Sequence, residues 1–149
     1  VSIEEELKGR FRNEYHKGLI NLSYTVKQLS YNFLQSLKKH KLAESQYNIL
    51  RVLRGFRSEG AVSIGFLKDR MLDKHSDVSR LVDKLHERGL IDRTENKEDR
   101  RQKAIVITLK GLELLSAMDE CEEKVDSLLS RLDPEEILVL NKLLDKIRG

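Results

Sequence analysis

The side chains best equipped for chemistry in this chain form two groups, and both are of types that bind polyanions. Ser76, Asp77, Ser79, Arg80 and Lys84 crowd one short segment; Asp99-Arg100-Arg101 follows between two runs rich in Ile, Leu and Val, with Arg93 on the first run. A guanidinium is a rigid fork of donors that matches the O6 and N7 acceptors of guanine, whereas an ammonium is a point charge suited to phosphate. A carboxylate such as Asp77 can accept from the cytosine amine, and serine hydroxyls pair with either kind of edge. An arginine at an exposed hairpin tip fits a narrow minor groove, where the negative potential is strongest.

Hydrophobic spacing shows what must position these groups. On a helical wheel Val78, Leu81, Val82 and Leu85 share one direction, and Ser76, Asp77, Arg80, Lys84 and Glu87 share the opposite one. A helix from about residue 76 to 88 therefore buries the first set and exposes the second, with Gly89 closing it. Arg80 is expected to read a guanine, and Lys84 and Arg88 to neutralise phosphates. Asp77 has three open roles: reading a base, capping the helix, or orienting Arg80. Residues 90–93 and 103–107 are β-prone arms around a charged turn, and Asp99 there can hold the Arg101 fork or pair with Arg93. A helix followed at once by an arginine-tipped hairpin has the layout of a winged helix-turn-helix. Upstream, residues 45–56 read as a helix with Tyr47, Ile49, Leu50, Leu53 and Phe56 inward. Gly60 then breaks the chain, and Ser63 caps a short helix to Met71 that Gly65 weakens at its start.

Long helices flank this middle. Leu7, Phe11, Tyr15, Leu19, Leu22, Val26, Leu29, Phe33 and Leu37 make one apolar stripe, predicting a single helix over residues 7–39. A second helix follows over 112–131, and Asp133-Pro134-Glu135-Glu136 starts a third over 134–147. A stripe that long outruns what so small a domain can cover, so residues 1–42 with 111–149 are read as a helical dimerisation domain around a winged helix-turn-helix at 43–110. A monomeric helical bundle is the alternative. The fold class is thus mainly α with a small β-hairpin wing. Net charge is +4 over residues 1–42, +4 over 43–110 and −5 over 111–149, which suits a basic reading core beside acidic helices.

Other functions find little footing. The single cysteine, Cys121, excludes an intrachain disulfide framework, and its neighbours Glu120, Glu122 and Glu123 disfavour a reactive thiolate. His16, His40, His75 and His86 lie on different elements without metal-ligand spacing, and no catalytic constellation or phosphate-cradling glycine loop occurs. The reading is therefore no enzyme, no metal and no cofactor. No apolar run approaches the roughly 18–20 residues of a membrane span, residues 1–10 are charged rather than signal-like, and a cytoplasmic location without membrane contact is expected.

Arg80-Leu81-Val82-Asp83-Lys84-Leu85, Arg88-Gly89-Leu90-Ile91, Arg93, Asp99-Arg100-Arg101, Ile107-Thr108 and Gly111 together resemble the multiple-antibiotic-resistance regulator (MarR) family of dimeric winged-helix transcription factors. Gln46, Ile49, Leu50 and Leu53 look like that family's second helix. The resemblance implies a homodimer that places two helices in successive major grooves of double-stranded DNA, with Arg101 in the minor groove and Asp99 supporting it. It also implies a repressor released by a small, often phenolic, ligand. Tyr15, His16 and Tyr24 are the candidates for contact with such an aromatic ligand, with packing as their other role. Ala43, where the family usually has a hydroxyl cap, and Gly65 depart from the pattern. The alternatives are a winged-helix protein-interaction module that does not read DNA and a purely structural helical dimer.

Overall fold

Helices and a two-stranded sheet around a shared apolar core form the described part of residues 34–121 in the computed structural model, which describes residues 1–95 and 103–149 without the side chains of 95, 103, 121, 122, 124 and 125. Residues 1–33 and 122–149 form a second compact unit.

In the first unit, α3 (Glu44–Gly55) buries Tyr47, Ile49, Leu50, Val52 and Leu53. Ala43 offers no side-chain cap, but its own N–H donates to Gln46 Oε1 at 2.9 Å, so half of a capping box survives the missing hydroxyl. A 3-10 turn (Arg57–Glu59) and Gly60 lead to α4 (Ile64–Asp69), where Ser63 Oγ accepts from the Phe66 N–H at 3.1 Å. That helix stops two residues short of Met71, which is buried instead in the core. α5 (Val78–Glu87) packs on α3, α4 and β1. β1 (Ile91–Glu95) pairs antiparallel with β2 (Lys103–Ile107), Ile91 opposite Ile107, and Val62 adds a bridge to Ile105 on the other edge of β2.

α6 (Leu109–Leu129) starts earlier than the expected residue 112 because Thr108 caps it: the hydroxyl accepts from the Gly111 N–H at 3.2 Å and donates to the Gly89 carbonyl at 2.7 Å. Gly111 lies against the strand ends so tightly that an added Cβ would stand 2.4 Å from the Leu90 carbonyl oxygen and 2.7 Å from Ile107 Cγ1. An ion pair at 2.9 Å between Arg54 and Asp119 ties α3 to α6.

The second unit corrects one sequence reading. The helix expected over 7–39 is two helices, α1 (Ile3–Leu7) and the first part of α2 (Glu14–Lys39). Lys8 takes a left-handed φ of 51° at the end of α1, and Asn13 Oδ1 accepts from the His16 N–H at 2.8 Å to start α2. Leu7 and Phe11 keep the stripe's phase across this break, so periodicity alone hides it. Glu4 pairs with Lys17; that hydrogen bond holds the Glu4 carboxyl below its usual range and raises the lysine. α7 (Pro134–Arg148) opens with a complete capping box: Asp133 Oδ1 accepts from the Glu136 N–H at 2.9 Å, and Glu136 Oε1 accepts from the Asp133 N–H at 3.0 Å. The amide of Glu136 keeps the Asp133 carboxyl below its ordinary pKa, so this cap is complete above that value and is lost as pH falls through the lowered one. Most of the α2 stripe faces outward: Tyr15 is 89%, Leu19 60% and Val26 59% exposed. Leu138, Val139, Leu143 and Ile147 of α7 are exposed as well. No helix among the described residues is long and apolar enough to cross a membrane.

Two glycine substitutions should act in opposite directions. Gly111→Ala forces a methyl into the backbone of Leu90 and should cost about 1–3 kcal/mol in urea unfolding. At Gly65 the nearest atom to an added Cβ, Ser63 Oγ, is 3.8 Å away, so Gly65→Ala should gain up to about 1 kcal/mol. A neutral Gly111→Ala would contradict the close approach.

Candidate nucleic-acid interface

α5 has one apolar side, and that side is completely used. Val78, Val82 and Leu85 are at most 1% exposed, beneath α3 and α4. Leu81, at the margin of the wheel's apolar sector, is only half-buried and borders the polar side. Ser79, Arg80 and Lys84 consequently face solvent.

The helix begins two residues later than residue 76. Asp77 is its N-cap, with Oδ1 accepting from the Arg80 N–H at 3.2 Å, so it fills the capping role, one of the three open to it. Its carboxylate also lies on the positive end of the helix dipole. Ser76 stands before the cap and is half-buried; its Oγ is enclosed and meets no hydrogen-bond partner among the described residues. Ser76, Asp77, Arg80, Leu81 and Lys84 line a shallow depression of about 280 Å³ together with Ser45 and Asp73. Sequence reasoning missed the last two. Ser45 lies in the first turn of α3, far along the chain, and only packing of α5 on α3 brings it there. Asp73 belongs to the tight turn before α5, where Oδ1 accepts from the His75 N–H at 2.9 Å.

Two basic side chains are engaged elsewhere than their sequence positions suggested. Arg88, expected at phosphate, sends its guanidinium to the carbonyl oxygens of Lys41 at 2.8 Å and His40 at 3.0 Å. Arg93, placed as a brace for the hairpin tip, forms an ion pair with Asp83 of α5. The strand's two-residue period explains this: Arg93 shares a face with the buried Ile91 and so points toward the helix. The brace thus runs from β1 to α5. Asp99, Arg100 and Arg101 lie outside the described residues, as does the Cys121 side chain.

The candidate ligand residues do not converge. Tyr15 is exposed; His16 Nδ1 accepts from the Arg12 N–H at 3.2 Å, and its ring meets Phe11 edge-on at 5.9 Å. Tyr24 alone of the three lines a cleft of about 450 Å³ between α1, α2 and the chain from Leu128 to Leu140. Its hydroxyl donates to Glu6 Oε2 at 2.8 Å, a bond that raises the phenol's pKa. Among the described residues no group of His, Cys, Asp or Glu side chains could hold a metal ion.

Comparison with known proteins gives this geometry a context. Residues 40–102 match the profile of the MarR family. Over 133 residues the chain is 27% identical to the HTH-type transcriptional regulator MhqR of Bacillus subtilis (strain 168), covering 88% of this chain and 89% of that protein. The crystal structure of a MarR transcription factor from Planctomyces limnophilus aligns with a TM-score of 0.65 at 28% identity, over 90% of this chain and 99% of that one. BpsR of Bordetella bronchiseptica, whose DNA binding is regulated by 6-hydroxynicotinic acid, shares the fold with a TM-score of 0.72 at 23% identity, over 95% and 99%.

The capping assignment of Asp77 has a direct check. Asp77→Ala should lower stability by about 1 kcal/mol in urea unfolding, while Asp77→Asn, which keeps the acceptor, should lose only a small part of that. Equal stability of Asp77→Ala and the native chain would return Asp77 to a purely intermolecular role.

Proposed function

We propose that the chain is a transcriptional regulator of the MarR type, a homodimeric repressor that reads a specific sequence of double-stranded DNA and is relieved by a small aromatic ligand; the family match over residues 40–102 and the likeness to MhqR support the reading. It is a regulator and not an enzyme. The observation that carries the reading is the division of α5 into a buried apolar side and a polar side bearing Ser79, Arg80 and Lys84. A helix held this way in a helix-turn-helix lays its exposed N-terminal half along base edges in the major groove.

The residues take distinct parts in this reading. Arg80 pairs with a guanine, Ser79 assists at the neighbouring edge, and Lys84 neutralises phosphate. Asp77 fixes the start of the helix, with Ser76 beside it at the depression. Arg101 enters the minor groove with Asp99 supporting it, Arg100 binds DNA beside it, and Arg93 holds β1 to α5 through Asp83. The exposed stripes of α2 and α7 support the homodimer, since each large apolar side chain moved out of water contributes about 1.5–3 kcal/mol. The ligand reading rests on the Tyr24 cleft and on the regulation of BpsR by an aromatic acid.

In fluorescence anisotropy, the duplex upstream of the protein's own gene should bind far more tightly than a scrambled duplex. Arg80→Ala should lose about 10–100-fold on the native duplex, from about 1–3 kcal/mol per bidentate base contact. Equal binding to both duplexes, indifferent to Arg80 and Arg101, would favour the protein-interaction alternative. Sedimentation of a Leu19→Glu, Val26→Glu double variant should show a folded monomer where the native chain sediments as a dimer. An undisturbed dimer would exclude the α2 stripe from the interface.

A further inference from the structure

α2 ends in a way that leaves carbonyl oxygens to be satisfied by another element. The Leu42 N–H donates to the Leu37 carbonyl at 2.9 Å and the Lys41 N–H to the Lys38 carbonyl at 3.1 Å, with Lys41 left-handed at φ 53°. This is a Schellman ending made without glycine, and the apolar pair it favours, Leu37 and Leu42, is buried. It uses two of the terminal carbonyls. The carbonyls of His40 and Lys41, just past the last helical residue, take both arms of the Arg88 guanidinium. A cation is thereby set on the negative end of the α2 dipole in bidentate geometry. Arg88 is also the C-cap of α5, and its own carbonyl accepts from Lys110 Nζ, in the first turn of α6, at 2.8 Å. One residue therefore joins the end of the reading helix to the end of α2 and to the start of α6.

We propose that Arg88 is a positioning residue for DNA recognition: it clamps the C-terminal end of α5 to the C-terminal end of α2 and so fixes the angle at which Arg80 and Ser79 are presented. The inference rests on α5 being the reading helix. It assigns Arg88 away from phosphate although its charge and its place on the helix suit that role. The clamp depends on donors in a fixed fork, not on net charge. A lysine keeps the charge but offers a point donor on a different stem; a glutamine loses the charge yet keeps an N–H₂ that can reach one carbonyl.

The test separates clamp from charge by the salt dependence of DNA affinity. Each phosphate neutralised adds about 0.9 to the slope of log affinity against log salt. Arg88→Ala, Arg88→Gln, Arg88→Lys and Lys84→Ala are compared with the native chain on the duplex it prefers and on a scrambled one, with amide hydrogen exchange measured on the free proteins. Arg88→Ala should lose about tenfold or more on the preferred duplex and little on the scrambled one, with an unchanged slope. Arg88→Gln and Arg88→Lys should each recover only part of that loss, again at the native slope. Exchange should quicken at residues 37–42 and 85–90 in the Arg88 variants and not in Lys84→Ala, whose slope should fall by about 0.9. If Arg88→Gln lowers the slope by that amount, or Arg88→Lys restores full affinity, Arg88 is a phosphate contact and the proposal fails. If Arg88→Ala does not fold, the glutamine and lysine variants decide by the same criteria. A native chain that prefers no duplex overturns the DNA reading and the positioning role with it; unchanged exchange in the Arg88 variants overturns the clamp alone.

Discussion

Three side chains set the surface this molecule offers. Val78, Val82 and Leu85 leave no room for α5 to rotate: turning it by one residue would carry a valine into water and bring Arg80 or Lys84 toward α3. Burying either charge unpaired would cost far more than re-exposing the valine. The orientation of Ser79, Arg80 and Lys84 is thus a consequence of the core rather than of any contact those residues make themselves. The core fixes which side of α5 is polar; the elements at its ends fix where that side points.

Those ends are held by groups that act on backbone. Asp77 satisfies an amide at the start, Arg88 and Gly89 close the finish, and Thr108 links the Gly89 carbonyl to the first turn of α6. Gly89 at φ 72° turns the chain directly from helix into β1 without the strain a side chain would add. Asp83 and Arg93 then couple the middle of the helix to the strand. Each link is one or two hydrogen bonds, modest alone, and together they leave α5 and β1 few ways to move independently.

What was legible in the sequence was local. Asp133-Pro134-Glu135-Glu136, Ser63 and Gly89 signal their helix ends because each acts on backbone within a few residues, and all do so in the structure. The buried side of α5 was legible because helical period and burial agree at Val78, Val82 and Leu85, with Leu81 the half-buried exception. The break between α1 and α2 was not, since Leu7 and Phe11 happen to stay in phase with the stripe. The partners of Arg88 and Arg93 and the place of Ser45 were missed for one shared reason. Their partners lie far along the chain or on a neighbouring element, and charge with wheel position cannot say whether a side chain turns inward to a carbonyl or outward to solvent. The depression beside α5 needs α3 and the turn at Asp73 in place before it exists.

The central claim is that the polar side of α5, presented twice by a dimer, reads base sequence. Selecting bound duplexes from a random-sequence library and sequencing them tests it most directly. The account predicts enrichment of one site with dyad symmetry, its half-sites centred about 10 base pairs or a multiple apart, so that both copies of α5 meet successive major grooves on one side of the duplex. Retention of duplexes with no enriched sequence would mean that the protein holds DNA by charge alone, and the reading role given to α5 would be wrong.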